Sequence, residues 1–296
     1  MEAPPVDAPI IVASLLILAV LLSSAALWIR RVQRPPELIR PDTGVTPWTI
    51  GWVNFGIFLC AIIIAVFVVQ QVGVTLLLGG EGSSSTSELT PWLAVTAVLL
   101  LQGPMILVFY LARRFYPGHY AGRLSRAELS PGASFRQAVS LFVMFLPIIW
   151  IATLLWTNLL AGLQRVGWIE DFEPQQLVTL FQGGGDRLAI VILVLMAIIV
   201  APLVEEIIFR GCVYRFLKSQ TTILPAQILS GVVFSFMHAN LLSFVPLVIV
   251  GILLARVYER TGSLAVAIWF HAFFNAFSLS MLFITGMSDA LPPSQY

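Results

Sequence analysis

The chain has 296 residues, 58% of them hydrophobic and 10% charged, and a formal net charge of +1. A soluble globular domain carries about 25% charged residues, so this composition excludes a water-soluble fold. The absence of a basic patch interleaved with aromatics excludes a nucleic-acid surface. The chain reads as all-α, a polytopic integral membrane protein.

The first apolar run, from Pro9 to Ile29, follows a start that holds Glu2 and Asp7 but no Lys or Arg. A cleaved signal peptide needs a basic n-region, so this run is expected as a retained helix with the N-terminus outside. Seven more spans are expected near 50–78, 91–112, 137–161, 188–218, 223–239, 242–257 and 263–285, about eight in all. The stretch from Gly79 to Thr90 reads as a Gly/Ser-rich loop, and Gly183, Gly184 and Gly185 break the chain before the fifth span. Cys60 and Cys212 lie in apolar context without CxxC spacing. They are expected as two buried structural thiols, forming neither a disulfide nor a Cys-based zinc site.

Lys and Arg gather on the cytoplasmic side of short membrane loops. Arg30, Arg31, Arg34 and Arg40 follow the first span, and Arg113, Arg114, Arg123, Arg126 and Arg136 follow the third. Arg215 and Lys218 end the fifth, and Arg256 and Arg260 end the seventh. The intervening segments hold only Arg165 and Arg187, beside Glu81, Glu88, Glu170, Asp171, Glu173 and Asp186. This alternation fits eight spans with both termini outside. The two halves show no sequence repeat, which counts against an inverted-repeat transporter.

Three segments place polar groups inside apolar helices: Ala201 to Gly211 (APLVEEIIFRG), Phe234 to Asn240 (FSFMHAN) and Phe270 to Phe277 (FHAFFNAF). A charge at a helix centre costs about 2.5–3.5 kcal/mol on insertion scales, which makes function the default explanation. Residues four apart share a helix face and adjacent ones do not. Glu206 can therefore pair with Arg210, while Glu205 is turned away and free to act as a base. Phe234 and His238 share a face, as do His271 and Asn275. Counting inward at about 1.5 Å per residue puts Glu205, Arg210, His238, His271 and Asn275 all roughly 12–24 Å deep, in one band of the bilayer. The remaining histidine, His119, falls outside that band and reads as an ordinary loop residue. Cys212 lies roughly 10 Å along the axis from Glu205, too far to share a metal with it.

In this order, EExxxR, FxxxH and HxxxN resemble the motifs of the CAAX prenyl endopeptidase and bacteriocin-processing (CPBP, type II CAAX) family of intramembrane proteases. The resemblance covers residues 137–285 and divides the chain into a protease core, 137–296, and three N-terminal transmembrane helices, 1–136, that carry no motif. It implies an endopeptidase acting on a membrane-associated, CAAX-type prenylated protein or on a peptide. In that family role, Glu205 acts with His238 to deprotonate a water. His271 and Asn275 donate hydrogen bonds to the oxyanion, and Arg210 positions Glu206. A rival mechanism holds Zn²⁺ on Glu206, His238 and His271, with Glu205 as base. No HExxH decides between them, and the metal-free reading is preferred.

Two other function classes are consistent with the same residues: a non-catalytic membrane scaffold or bacteriocin-immunity protein that keeps the motifs, and a proton-coupled transporter. The expected partners are membrane lipids and a peptide or lipidated protein substrate, and the expected location is the plasma membrane of a prokaryote.

Overall fold

The computed structural model describes residues 8–33, 44–78, 90–120, 123–125, 129–169 and 186–289. Most of the Gly79 to Thr90 loop, the Gly183 to Gly185 break, and Arg34, Arg40, Arg126, Glu81, Glu88, Glu170, Asp171 and Glu173 lie outside the described residues. Among the described residues every regular element is helical. The protein is an all-α integral membrane protein.

In chain order the helices are α1 (Ala8–Gln33), α2 (Trp52–Leu78), α3 (Pro91–Phe115), the short α4 (Pro117–Tyr120) and α5 (Pro131–Arg165). They continue with α6 (Arg187–Gln220), α7 (Ile223–Phe236), α8 (Phe244–Thr261) and α9 (Leu264–Asp289). Six of these, α1, α2, α3, α5, α6 and α9, are long and apolar enough to cross a membrane. The remaining two expected spans form α7, of 14 residues, and α8, of 18.

Local sequence sets several boundaries. Thr90 caps α3 by accepting from the Leu93 amide, and Ser130 caps α5 by accepting from Ala133, each followed by a proline at the first helical position. Asp186 caps α6 by accepting from the Leu188 and Ala189 amides. Gly262, at φ +64, ends α8 in the left-handed conformation that glycine adopts without steric cost.

The expected span at 223–239 is shorter than its hydrophobicity suggests. The helix ends at Phe236, and His238 sits in the turn beyond it. Ala239 takes φ +46 there, and Asn240 Oδ1 accepts from the Ser243 amide at 2.9 Å, so a local side-chain bond replaces the next helical turn. At about 1.5 Å per residue α7 is about 21 Å long, less than the roughly 30 Å hydrocarbon core.

Packing divides into three clusters. Phe142, Phe145 and Ile149 of α5 meet Leu254 and Tyr258 of α8 and Ala267 and Phe270 of α9. Phe55 and Phe58 of α2 and Met105 of α3 meet Val204, Ile208 and Phe216 of α6. Ala94 and Val95 of α3 meet Ala189, Leu193 and Met196 of α6. As residue numbers rise along α3 they rise along the facing part of α6, so the two helices run parallel, as the third and fifth spans of an alternating topology must. The 136/137 division read from the sequence falls inside α5.

At the end bearing most of the basic residues, the segment 44–50 is pinned across α6. Arg215 Nε donates to the Thr46 carbonyl at 2.7 Å and Lys218 Nζ to that of Val45 at 2.7 Å. Trp48 Nε1 donates to the carbonyl of His119, which is exposed in α4 and does not line the cavity described below. Both thiols are free, but only Cys212 is buried; Cys60 is exposed on α2, which corrects the expectation of two buried thiols. The physical reason is that a lipid-facing surface is as apolar as a core, so apolar neighbours do not report burial in a membrane helix.

Candidate active site

The site begins with a defect in α6. Residues Met196–Val200 and Phe209–Tyr214 are π-helical and bracket the segment Ala201–Ile208 that carries both glutamates. Such π segments sit frequently at functional sites. In the first, the Ala201 amide donates to the Met196 carbonyl, and Pro202 has no amide to give. The Ala197 carbonyl thus loses both backbone donors that could reach it along the helix. Asn275 of α9 takes their place, with Nδ2 donating to that carbonyl at 2.8 Å.

The second π segment holds Arg210, which is fully buried together with Glu206. Arg210 Nη1 donates to Glu206 Oε1 at 2.8 Å and Nη2 to the Gly251 carbonyl at 3.0 Å. Its guanidinium carbon lies 4.6 Å from the centroid of Phe234. The carbonyl is within reach because α7 and α8 cross closely: a Cβ on Gly251 would lie 2.6 Å from the Gly231 Cα. Only glycine pairs admit that approach.

His271, 3% exposed, faces Glu206 with Nδ1 at 2.9 Å from Oε1. A carboxylate paired to Arg210 accepts, so Nδ1 carries the proton and Nε2, 3.9 Å from Glu205 Oε2, has no hydrogen to give, which corrects the expectation that His271 donates to the oxyanion. Glu205 makes no ion pair with Arg210 among the described residues. Its Oε1 instead accepts from Gln102 Nε2 of α3 at 3.3 Å. His238 Nδ1 bonds the Phe234 carbonyl at 2.8 Å, and its ring sits 4.7 Å from that of Phe234.

Glu205, His238, His271 and Asn275 line one cavity of about 330 Å³, with Ser243, Leu247, Phe274 and Ser278 completing the wall. Glu206 and Arg210 lie behind His271 and do not reach the cavity. The six residues singled out in the sequence are therefore brought together as four that face the cavity and two that support them. Gln102, which no motif marks, joins them. Its only signal was a lone amide in an otherwise apolar helix.

The zinc set of Glu206, His238 and His271 is split by this geometry. Glu206 Oε1 is taken by Arg210 and by His271 Nδ1, its buried Oε2 has no hydrogen-bond partner among the described residues, and Glu206 does not line the cavity that His238 and His271 line. Among the described residues no group of three or more His, Cys, Asp or Glu could hold one metal ion. As arranged, these three side chains do not fit a zinc site.

Residues 187–277 match the family described as type II CAAX prenyl endopeptidase Rce1-like. The chain is also 32% identical over 93 residues to the "Putative membrane peptidase YdiL" of Bacillus subtilis (strain 168), a stretch that is 31% of this chain and 38% of that protein. No solved structure matches. The family match is narrower than the 137–285 read from the motifs, but it contains all three of them. Over residues 187–277 the chain is similar to the type II CAAX prenyl endopeptidase Rce1-like family, and that stretch holds Glu205, Glu206, Arg210, His238, His271 and Asn275.

Proposed function

We propose that the protein is an intramembrane endopeptidase that hydrolyses a peptide bond of a membrane-associated peptide or lipidated protein, with a water activated by Glu205. The observation that carries this reading is the convergence of Glu205, His238, His271 and Asn275 on one cavity inside the helical bundle. Peptide hydrolysis needs a base for water, donors for the developing oxyanion and an acid for the leaving nitrogen.

Glu205 takes the proton from a water held between it and His238. The oxygen attacks the scissile carbonyl carbon, and the carbonyl oxygen gains the negative charge. Asn275 has two amide hydrogens, of which one is given to Ala197. The second is available to that oxyanion. Glu205, 3.9 Å from His271 Nε2, shares its captured proton with the imidazole and returns it to the leaving amine as the C–N bond breaks. Glu206 keeps His271 oriented throughout, a carboxylate–histidine pairing that fixes ring and tautomer. The apolar wall of Leu247 and Phe274 suits a substrate presented from the lipid phase.

The family relationship supports prenylated C-terminal peptides as the first substrate class to try. The test is incubation of purified protein with a prenylated CAAX peptide library, with and without a chelator, comparing wild type with Glu205→Ala. Cleavage by wild type alone, unchanged by chelation, is the expected result. Absence of cleavage by wild type, or cleavage that survives Glu205→Ala, overturns the reading; loss on chelation overturns its metal-free form.

A further inference from the structure

Gln102 lies on α3, outside the matched residues 187–277 and outside every motif. It is 4% exposed, and its Nε2 donates to Glu205 Oε1 at 3.3 Å. An amide buried in apolar surroundings costs about 1–3 kcal/mol unless it is hydrogen-bonded, so its presence needs a reason. Packing alone would be served by leucine or methionine.

α3 is also indexed against α6 along its length. Trp92 Nε1 donates to Asp186 Oδ2 at 2.8 Å at one end. Ala94 and Val95 pack on Ala189 and Leu193, and Met105 packs beside Val204 and Ile208. The amide of Gln102 is thereby delivered to one oxygen of one carboxylate.

We propose that Gln102 is a positioning residue for Glu205. Its bond to Oε1 fixes the carboxylate plane and reserves Oε2, the oxygen facing His271 Nε2, for the water. A carboxylate free to turn about its last torsion divides its time between orientations in which neither oxygen meets both water and His271, and a misplacement of about 1 Å costs a catalytic site about 100-fold. The N-terminal helices are on this account part of the active site. The inference rests on the peptidase reading for its kinetic consequence, though not for the contact itself.

Gln102→Met preserves length and bulk while removing the donor, and Gln102→Glu replaces it with an acceptor. With a cleaved peptide, both are expected to lower kcat about tenfold or more while KM stays within about twofold, because an interaction that orients the base acts on the chemical step. A second measurement needs no activity. In a double-mutant cycle on the detergent unfolding midpoint, Gln102→Met lowers the midpoint when position 205 is Glu and leaves it unchanged when position 205 is Met. An unchanged kcat, a rise confined to KM, or an equal midpoint loss in both backgrounds overturns the proposal. If wild type cleaves no peptide, the peptidase reading falls while the cycle still decides whether Gln102 serves Glu205.

Discussion

His271 donates through Nδ1 to Glu206 Oε1 at 2.9 Å, and the same oxygen takes Arg210 Nη1 at 2.8 Å. One carboxylate oxygen therefore orients a histidine of α9 and neutralises an arginine of its own helix. Glu206→Gln keeps the shape but lets the imidazole choose its tautomer. Activity is expected to fall about 10- to 100-fold, the usual cost of losing such a partner, and by less than for Glu205→Gln. Steady-state rates of the two variants on one peptide check the order.

The buried pair itself predicts an asymmetry in stability. Removing one partner of a buried ion pair costs about 3–5 kcal/mol because the other charge is left alone, whereas replacing both with apolar groups is often neutral. Arg210→Met is thus expected to destabilise the protein by about that amount, and Arg210→Met with Glu206→Met to recover most of it. Unfolding in SDS-titrated micelles measures both.

Asn275 and Pro202 form a second testable couple. Asn275→Leu leaves the Ala197 carbonyl buried without its donor, an omission that costs about 1–3 kcal/mol. Pro202→Ala introduces an amide at the position where a π-helical bond to Ala197 is made. The double variant is expected to be more stable than Asn275→Leu alone. Equal midpoints for the two would show that the carbonyl does not depend on Asn275.

The hydrogen bond from Trp92, with the Ala189 and Leu188 amides behind it, holds the Asp186 carboxyl below the usual carboxylate range. A carboxylate whose folded pKa is depressed adds stability above its unfolded value, about 3.9, and loses it as pH falls through the folded one. The difference in melting temperature between wild type and Asp186→Ala is therefore expected at neutral pH and to shrink as pH falls below the unfolded value of about 3.9 and on through the depressed folded one. A pH-independent difference would place the effect of Asp186 elsewhere.

Hydropathy was enough to locate eight apolar helices, six of them long and apolar enough to cross a membrane, because a bilayer demands length and apolarity of each helix separately. Helical phase was enough to pair Glu206 with Arg210 and to free Glu205, since both relations lie within one helix. What crosses between helices was not readable. His271 meeting Glu206, Asn275 meeting Ala197 and Gln102 meeting Glu205 depend on which faces pack together, and a periodicity shared by every lipid-facing helix does not specify that. The π segments were hidden for a similar reason: Pro202 signals a lost amide, but only the structure shows that α9 supplies the replacement. The end of α7 at Phe236 was masked by the apolar residues that continue past it.

The shortness of α7 has a consequence for the surrounding lipid. A helix about 21 Å long beside a hydrocarbon slab about 30 Å thick leaves about 9 Å of hydrophobic mismatch, which a bilayer relieves by thinning at fractions of a kcal/mol per ångström. Lipid next to the His238 turn is expected to be drawn inward there, bringing the headgroup region closer to Glu205. On that expectation the path by which water reaches Glu205 shortens, and bilayer thickness itself becomes a variable that sets how readily the acid is hydrated.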